Sequence, residues 1–194
     1  GRDFLDIGCR EGHTTKQVLD RLNGSYVCDL LEPDEKALDS AKKFLSFENK
    51  IGSSFVNTLS SFRPTKIYDS VFTSHTNYYW ANNEIDYKKQ LDKAISLVKS
   101  GGRLLILTLP EESDHYNIML RQVYPTFNYS EYIQGYYAKK GLGIKVIKFK
   151  MRMYVGDILV NKSFYELKNF FKFIHNTETI PSNQESNEFL KKIK

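Results

Sequence analysis

The sequence predicts an α/β fold, a doubly wound and mostly parallel sheet with helices on both faces. Three observations carry that expectation. Short apolar runs alternate with segments of helical periodicity. The first run, Phe4-Leu5-Asp6-Ile7, passes straight into the glycine-bearing turn Gly8-Cys9-Arg10-Glu11-Gly12. The second run closes on Glu32, about twenty residues further on.

Each element follows from local chemistry. Strand one is expected over 3–7, and helix one over 13–22, where Asn23-Gly24 supplies the stop. Residues 25–31 read as the second strand. Asp34 is placed to cap a helix whose inward stripe, Ala37, Leu38, Ala41 and Leu45, recurs at the 3.6 period. Phe55-Val56 falls in the third strand and 67–73 in the fourth. Ile85, Leu91, Ala94, Ile95 and Val98 form the inner face of the next helix, which Gly101-Gly102 is expected to end before a fifth strand over 103–109. Beyond Pro110 the pattern predicts helices over 115–123, 130–140 and 163–176, and a strand over 144–155. No internal repeat or low-complexity tract appears.

At 194 residues, 41% apolar and 26% charged, the chain has ordinary globular usage and is expected to form one domain over 1–194. No apolar stretch reaches membrane-spanning length and no signal-peptide pattern precedes the first strand, so a cytoplasmic protein with no membrane contact is expected. Only two cysteines occur, too few for a disulfide framework. Cys28 reads as buried filler, and Cys9 as a small residue lining the turn rather than a nucleophile. Among the four histidines no pair has metal-ligand spacing, so no metal is expected.

The turn after strand one implies a ligand. A glycine there lets backbone approach without a Cβ in the way, the helix that follows offers N–H groups, and a carboxylate at the neighbouring strand tip can accept two ribose hydroxyls. A ribose-bearing ligand is therefore expected. The spacing is not that of a dinucleotide fingerprint, and no Gly-Lys-Ser/Thr loop exists for a triphosphate.

Three segments share a further resemblance. Asp6-Ile7-Gly8-Cys9-Arg10-Glu11-Gly12 is similar to the first motif of class I S-adenosylmethionine-dependent methyltransferases, Leu31-Glu32-Pro33-Asp34-Glu35-Lys36-Ala37-Leu38 to the second, and Tyr79-Trp80 through Gly101-Gly102-Arg103-Leu104-Leu105-Ile106 to the fourth-strand exit, the next helix and the fifth strand. The resemblance spans roughly residues 3–110 and implies a Rossmann-like methyltransferase fold, with 1–110 as the cofactor half and 111–194 as the substrate-side half and tail. It also implies an N-terminal segment and a last strand that this sequence lacks, as a fragment would.

The resemblance implies S-adenosylmethionine as cofactor and S-adenosylhomocysteine as product. Gly8, Gly12 and the backbone near Cys9 would approach the methionine part, Glu32 with Pro33 the ribose, Asn57, Thr58 and Leu59 the adenine, and Ser74 the sulfonium side. Asp6 reads as a residue that orients the loop. Arg10 departs from the family, which has a glycine at that place. If the position needs φ > 0, arginine costs about 1 kcal/mol or more. Three readings stay open: the loop has shifted and Arg10 faces solvent; Arg10 pairs with the cofactor's methionine carboxylate; or the loop has lost cofactor affinity.

The fourth-strand exit carries the candidates for the substrate side, His75, Tyr78, Tyr79 and Trp80. His75 either orients or deprotonates a nucleophile, or hydrogen-bonds a neighbouring loop. Tyr79 is the second catalytic candidate, and it and Trp80 pack either in the pocket or in the core. The Asn/Asp-Pro-Pro-Tyr/Phe motif of base-methylating enzymes is missing. Asn77-Tyr78-Tyr79, Gly156-Asp157-Ile158-Leu159 and residues 164–173 are similar to pieces of histamine N-methyltransferase and related small-molecule enzymes. The resulting expectation is methyl transfer to a small-molecule nitrogen or oxygen. The net charge of +5 supports a rival, an RNA-directed enzyme using the row Lys148, Lys150, Arg152, although lysines on an edge strand also serve simply to block pairing. A second rival is a non-catalytic scaffold. Oligomeric state is not encoded legibly.

Overall fold

The computed structural model describes residues 1–48, 50–81, 83–113 and 129–148. The chain divides into two compact units, Gly1–Ser113 with Phe127–Leu142, and Asp114–Thr126 with Gly143–Lys194. Of the second unit only 143–148 are described, exposed and without regular secondary structure.

Its elements run β1 (Arg2–Ile7), α1 (His13–Leu19), β2 (Tyr26–Leu31), α2 (Glu35–Phe44), β3 (Ile51–Phe55), β4 (Tyr68–Ser74), a 3₁₀ turn (Asn77–Tyr79), α3 (Glu84–Ser96), β5 (Val98–Leu107) and α4 (Tyr129–Lys139). The strands form one five-stranded sheet in the order β3-β2-β1-β4-β5, and every pairing is parallel. Strand order therefore reverses between β1 and β4, and the carboxyl tips of β1, β2 and β4 flank that switch point, where an open sheet of this kind has its crevice.

Two apolar layers hold the sheet. One gathers Phe4, Cys28, Leu30, Leu38, Ala41, Leu45 and Phe72 under α1 and α2; the other gathers Leu5, Ile7, Leu31, Val71, Ala94 and Leu97 under α3. The interior strands are apolar on both faces, as a parallel sheet covered on both sides requires. Helix α2 starts as its sequence demands, with Asp34 Oδ1 accepting from the N–H groups of Lys36 and Ala37. Helix α4 runs along α3: Tyr137 Oη donates to Leu91 O at 2.9 Å, and Tyr132 Oη to Glu84 Oε1 at 3.1 Å.

The amino ends of the strands carry a charge network. Lys66 bridges Asp3 and Asp29 at 3.1 and 3.0 Å, and Lys99 bridges Asp3 and Asp69 at 3.1 and 2.9 Å. Asp29 is 1% exposed and also accepts from Ser53 N–H and Tyr68 Oη, so its buried charge is paired and fully hydrogen-bonded.

Several boundaries differ from expectation. Helix α1 stops at Leu19, three residues early, because Tyr26 Oη donates to Leu19 O and draws the chain towards β2. Val56 lies just past β3. Ile85 points outward at 70% exposure in the first turn of α3, and Val98 belongs to β5. The pair Gly101-Gly102 sits inside β5 rather than before it: the β4–β5 register slips between Tyr68 and Ser70, and a Cβ on Gly102 would lie 2.8 Å from Asp69 O. The glycines make a bulge, not a stop. The strand expected over 144–155 is irregular across its described part, 144–148, and the expected helices over 115–123 and 163–176 lie outside the described residues, as do Lys150, Arg152 and 156–159. Among the described residues, no helix is long and apolar enough to cross a membrane.

Candidate functional site

The turn after β1 is stitched to the tip of β2. Gly8 N–H and Cys9 N–H both donate to Leu31 O, at 2.7 and 3.4 Å, and Arg10 N–H donates to Glu32 Oε2 at 2.9 Å. Glu32 Oε1 in turn accepts from Asp34 N–H at 3.1 Å. Each carboxylate oxygen thus takes one backbone donor and keeps lone pairs for another. Glu32 is 3% exposed, so these charge-assisted bonds operate away from bulk water.

The turn is left-handed at Gly8 (φ 77), Arg10 (φ 50) and Gly12 (φ 84). Of the first alternative for Arg10 the loop shift is not seen, since residue 10 keeps the glycine-type backbone with its N–H aimed at Glu32, whereas the side chain is exposed, as that alternative expects. The strain is of order 1 kcal/mol. The N–H groups of Gly8, Cys9 and Arg10 are spent on β2, so the grip expected from the backbone near Cys9 is directed at the neighbouring strand. The Cys9 thiol is buried and pushed well above its ordinary range by burial and by Asp6 and Glu32, consistent with a filler rather than a nucleophile.

Asp6 links the strand to the helix that follows the turn. Buried at the end of β1, it accepts from Thr15 Oγ1 at 2.6 Å and so ties the strand to α1. Burial pushes its carboxyl from 3.8 up to about 7; the Thr15 bond opposes the rise and the Glu32 charge adds to it. An acid whose folded pKa is raised holds more protons folded than unfolded between those two values. Its contribution to stability is full below about pH 4 and lost as pH climbs through about 7. Urea titrations from pH 4 to 8 should show wild type losing about 2–4 kcal/mol relative to Asp6→Asn, whose amide keeps the Thr15 acceptor. Parallel curves would disprove the assignment.

The turn after β4 closes the other side. Ser74 ends β4, half-buried, and His75 adopts φ 55 with its N–H on Leu107 O at 2.9 Å. Among the described residues, Arg10 and His75 are the two non-glycine residues with positive φ, and both sit at strand tips flanking the switch point. Tyr79 is 53% exposed; partial burial raises its phenol above the ordinary range, and the Arg10 charge opposes that rise. Trp80 packs half-buried against the α3-side core and Tyr87.

Tyr78 corrects the expected pocket. It is 2% exposed, its hydroxyl accepts from Thr108 Oγ1 and Leu109 N–H, and its ring meets Tyr129 of α4 at 5.2 Å. It stands behind His75, whose Nδ1 lies 3.4 Å from its hydroxyl, rather than facing a ligand. Leu59 likewise lies in the core beside Phe62. Thr58 shares its hydroxyl with Ser60 and Ser61 inside its own turn, leaving half-buried Asn57 and exposed Pro33 at the rim. Thr15, Thr76 and Thr108 matter to the site, and no motif announces them. Among the described residues no cluster of His, Cys, Asp and Glu could hold a metal.

A family model described as the ubiE/COQ5 methyltransferase family matches residues 1–135. No curated protein matches the chain. Among solved structures, the N-methyltransferase NodS from Bradyrhizobium japonicum WM9 is similar at 14% identity and TM-score 0.58, with 71% of each chain covered. The plantazolicin methyltransferase BpumL, in complex with a pentazolic desmethylPZN analog and SAH, is similar at 17% identity and TM-score 0.54, over 72% of this chain and 56% of that one. NodS in complex with S-adenosyl-L-homocysteine is matched over 54% of this chain and 51% of its own, at 17% identity and TM-score 0.48, so the match to that complex spans about half of its chain. The sheet order, the left-handed turn and the acid at the neighbouring tip agree with the family match: the chain belongs to the ubiE/COQ5 methyltransferase family, whose members use S-adenosylmethionine.

Proposed function

We propose that this chain transfers the methyl group of S-adenosylmethionine to a nitrogen or oxygen of a small molecule. The observation that carries the reading is the Glu32 carboxylate, pinned by Arg10 N–H and Asp34 N–H with lone pairs remaining, beside a left-handed turn held against it. That donor set fits an adenosine: Glu32 takes the ribose diol and Asn57 at the rim takes the adenine edge. Arg10, exposed at the mouth, pairs with the methionine carboxylate.

When bound, the cofactor supplies a methyl made electrophilic by its sulfonium. The chain's task is then to hold a neutral nucleophile in line with that methyl and to exclude water. Ser74, His75 and Tyr79 border the path along which the nucleophile arrives. His75 is held at its backbone by Leu107 O and stands in front of Tyr78, so its ring approaches the acceptor atom from a fixed direction. A neutral amine attacks through its lone pair and sheds its proton to water after the transfer, whereas a hydroxyl gives up its proton as the O–C bond forms, with His75 the group at hand to take it.

Methyl-labelled S-adenosylmethionine, offered with small amines, carboxylic acids and hydroxyl compounds in parallel with structured RNA, tests the reading. Label in the small molecules, reduced by His75→Ala, is the expected result; label in RNA alone would replace it. Arg10 has its own check. Arg10→Gly should weaken S-adenosylhomocysteine about tenfold while leaving methylthioadenosine, which lacks the amino-acid portion, unchanged. Equal losses for both ligands would show that Arg10 acts through the loop instead.

A further inference from the structure

The turns after β1 and β4 are joined through one side chain. Thr76 Oγ1 donates to Ile7 O at 3.2 Å, immediately before Gly8, and shares a second hydrogen bond with Thr73 Oγ1. Its methyl fills the space where a Cβ on Gly8 would stand: that Cβ would lie 2.8 Å from Thr76 Cβ and nearer still to Cγ2. The same residue begins the 3₁₀ turn, its carbonyl accepting from Tyr79 N–H at 3.0 Å. Left-handed His75 precedes it and Trp80, the chain's single tryptophan, ends the turn.

We propose that Thr76 is a positioning residue that couples the two sides of the site, so that a ligand seated on the Gly8 turn sets the conformation of the segment 75–80, in which His75 and Tyr79 border the path of the methyl acceptor. The inference rests on the placement of adenosine at the β1 and β2 tips. The physical reason is the hydroxyl tether: Thr76 Oγ1 holds the carbonyl of Ile7, the peptide that leads into Gly8, so a shift of the Gly8 turn towards a ligand is carried to Thr76, while the close methyl leaves no room for the turn to move the other way. Displacing Thr76 moves the residue that caps the 3₁₀ turn, whose carbonyl holds Tyr79 N–H, and that movement reaches Tyr79 and Trp80. Cofactor is therefore bound first, and the acceptor side is completed afterwards.

Trp80 reports the coupling directly. S-adenosylhomocysteine should change Trp80 emission in the wild type, with the same midpoint as calorimetry of the same titration. Thr76→Ser, which keeps the hydroxyl, should retain the change. Thr76→Val, which keeps the shape and loses the hydroxyl, should bind about tenfold more weakly and lose at least about four-fifths of the amplitude at saturation. Thr76→Val leaves the buried Thr73 hydroxyl short of a partner, so Thr73→Val/Thr76→Val, in which both hydroxyls go, guards against simple unfolding. Its thermal midpoint should sit within a few degrees of wild type, and its Trp80 response should still be lost. A purely structural role would weaken binding or lower the midpoint without touching the saturated amplitude. Full amplitude in both valine variants overturns the coupling, as does wild-type binding with no Trp80 response. Failure of the wild type to bind S-adenosylhomocysteine in calorimetry overturns the adenosine placement itself, and the coupling with it.

Discussion

Glu32→Ala is expected to weaken S-adenosylhomocysteine binding by about a hundredfold or more, since it removes two charge-assisted hydrogen bonds to the ribose, each worth about 1.5–3 kcal/mol in a sheltered site. The same substitution releases Arg10 N–H and Asp34 N–H, which belong to residues exposed at the rim, so water can enter the space that the carboxylate leaves and bond them. Stability should therefore change much less than affinity. Glu32→Gln isolates the charge: one of its two terminal atoms becomes an NH₂ that must face a backbone N–H, and binding should fall about tenfold. Calorimetry with S-adenosylhomocysteine, and with adenine as a ligand lacking the diol, gives the comparison. If the alanine variant binds both ligands as the wild type does, the ribose does not sit at β2.

Gly8→Ala is expected to be the most destructive small change in the described residues. The residue adopts φ 77, where an L side chain costs about 1–2 kcal/mol. The added methyl also enters the volume already held by Thr76, which cannot retreat without breaking its bond to Ile7 O. Together these should lower stability by about 2–4 kcal/mol and the thermal midpoint by roughly 5–15 °C, with cofactor affinity largely lost. The pairing can be proved by a double-mutant cycle. Thr76→Ser removes the nearest methyl, so adding it to Gly8→Ala should restore part of the lost midpoint, although Thr76→Ser alone gains nothing. Strict additivity would mean that the φ value alone sets the cost.

The parts legible from sequence are those encoded within a few neighbouring residues. Strand β1, the Asp34 cap, the apolar stripe of α2 and the acid closing β2 each follow from a local pattern, and all four stand as expected. The left-handed turn was legible as well, through Gly8 and Gly12, although Arg10 hid one of its three positive φ values behind a side chain that ordinarily avoids them. What escaped depends on residues distant in the chain. Gly101-Gly102 has the composition of a helix stop, and only the carbonyl of Asp69 across the sheet reveals a bulge. Tyr78 has the look of a pocket aromatic until Thr108 and Leu109, thirty positions on, occupy its hydroxyl. Thr76 carries no signature at all, since its importance lies in where Gly8 ends up. Local periodicity describes elements; the meeting of their tips is a tertiary fact.

The Lys66 and Lys99 network sits at the opposite end of the strands from Glu32 and the Gly8 turn. Ionic strength and the site are thereby insulated from each other: added salt reaches the half-exposed lysine pairs, while the carboxylate at the β2 tip is shielded. Engineers seeking a tougher protein could rework the half-exposed pairs of Lys99 with Asp3 and Asp69, keeping Lys66 on buried Asp29 and leaving the pole that holds Glu32 and its interlocked turns untouched.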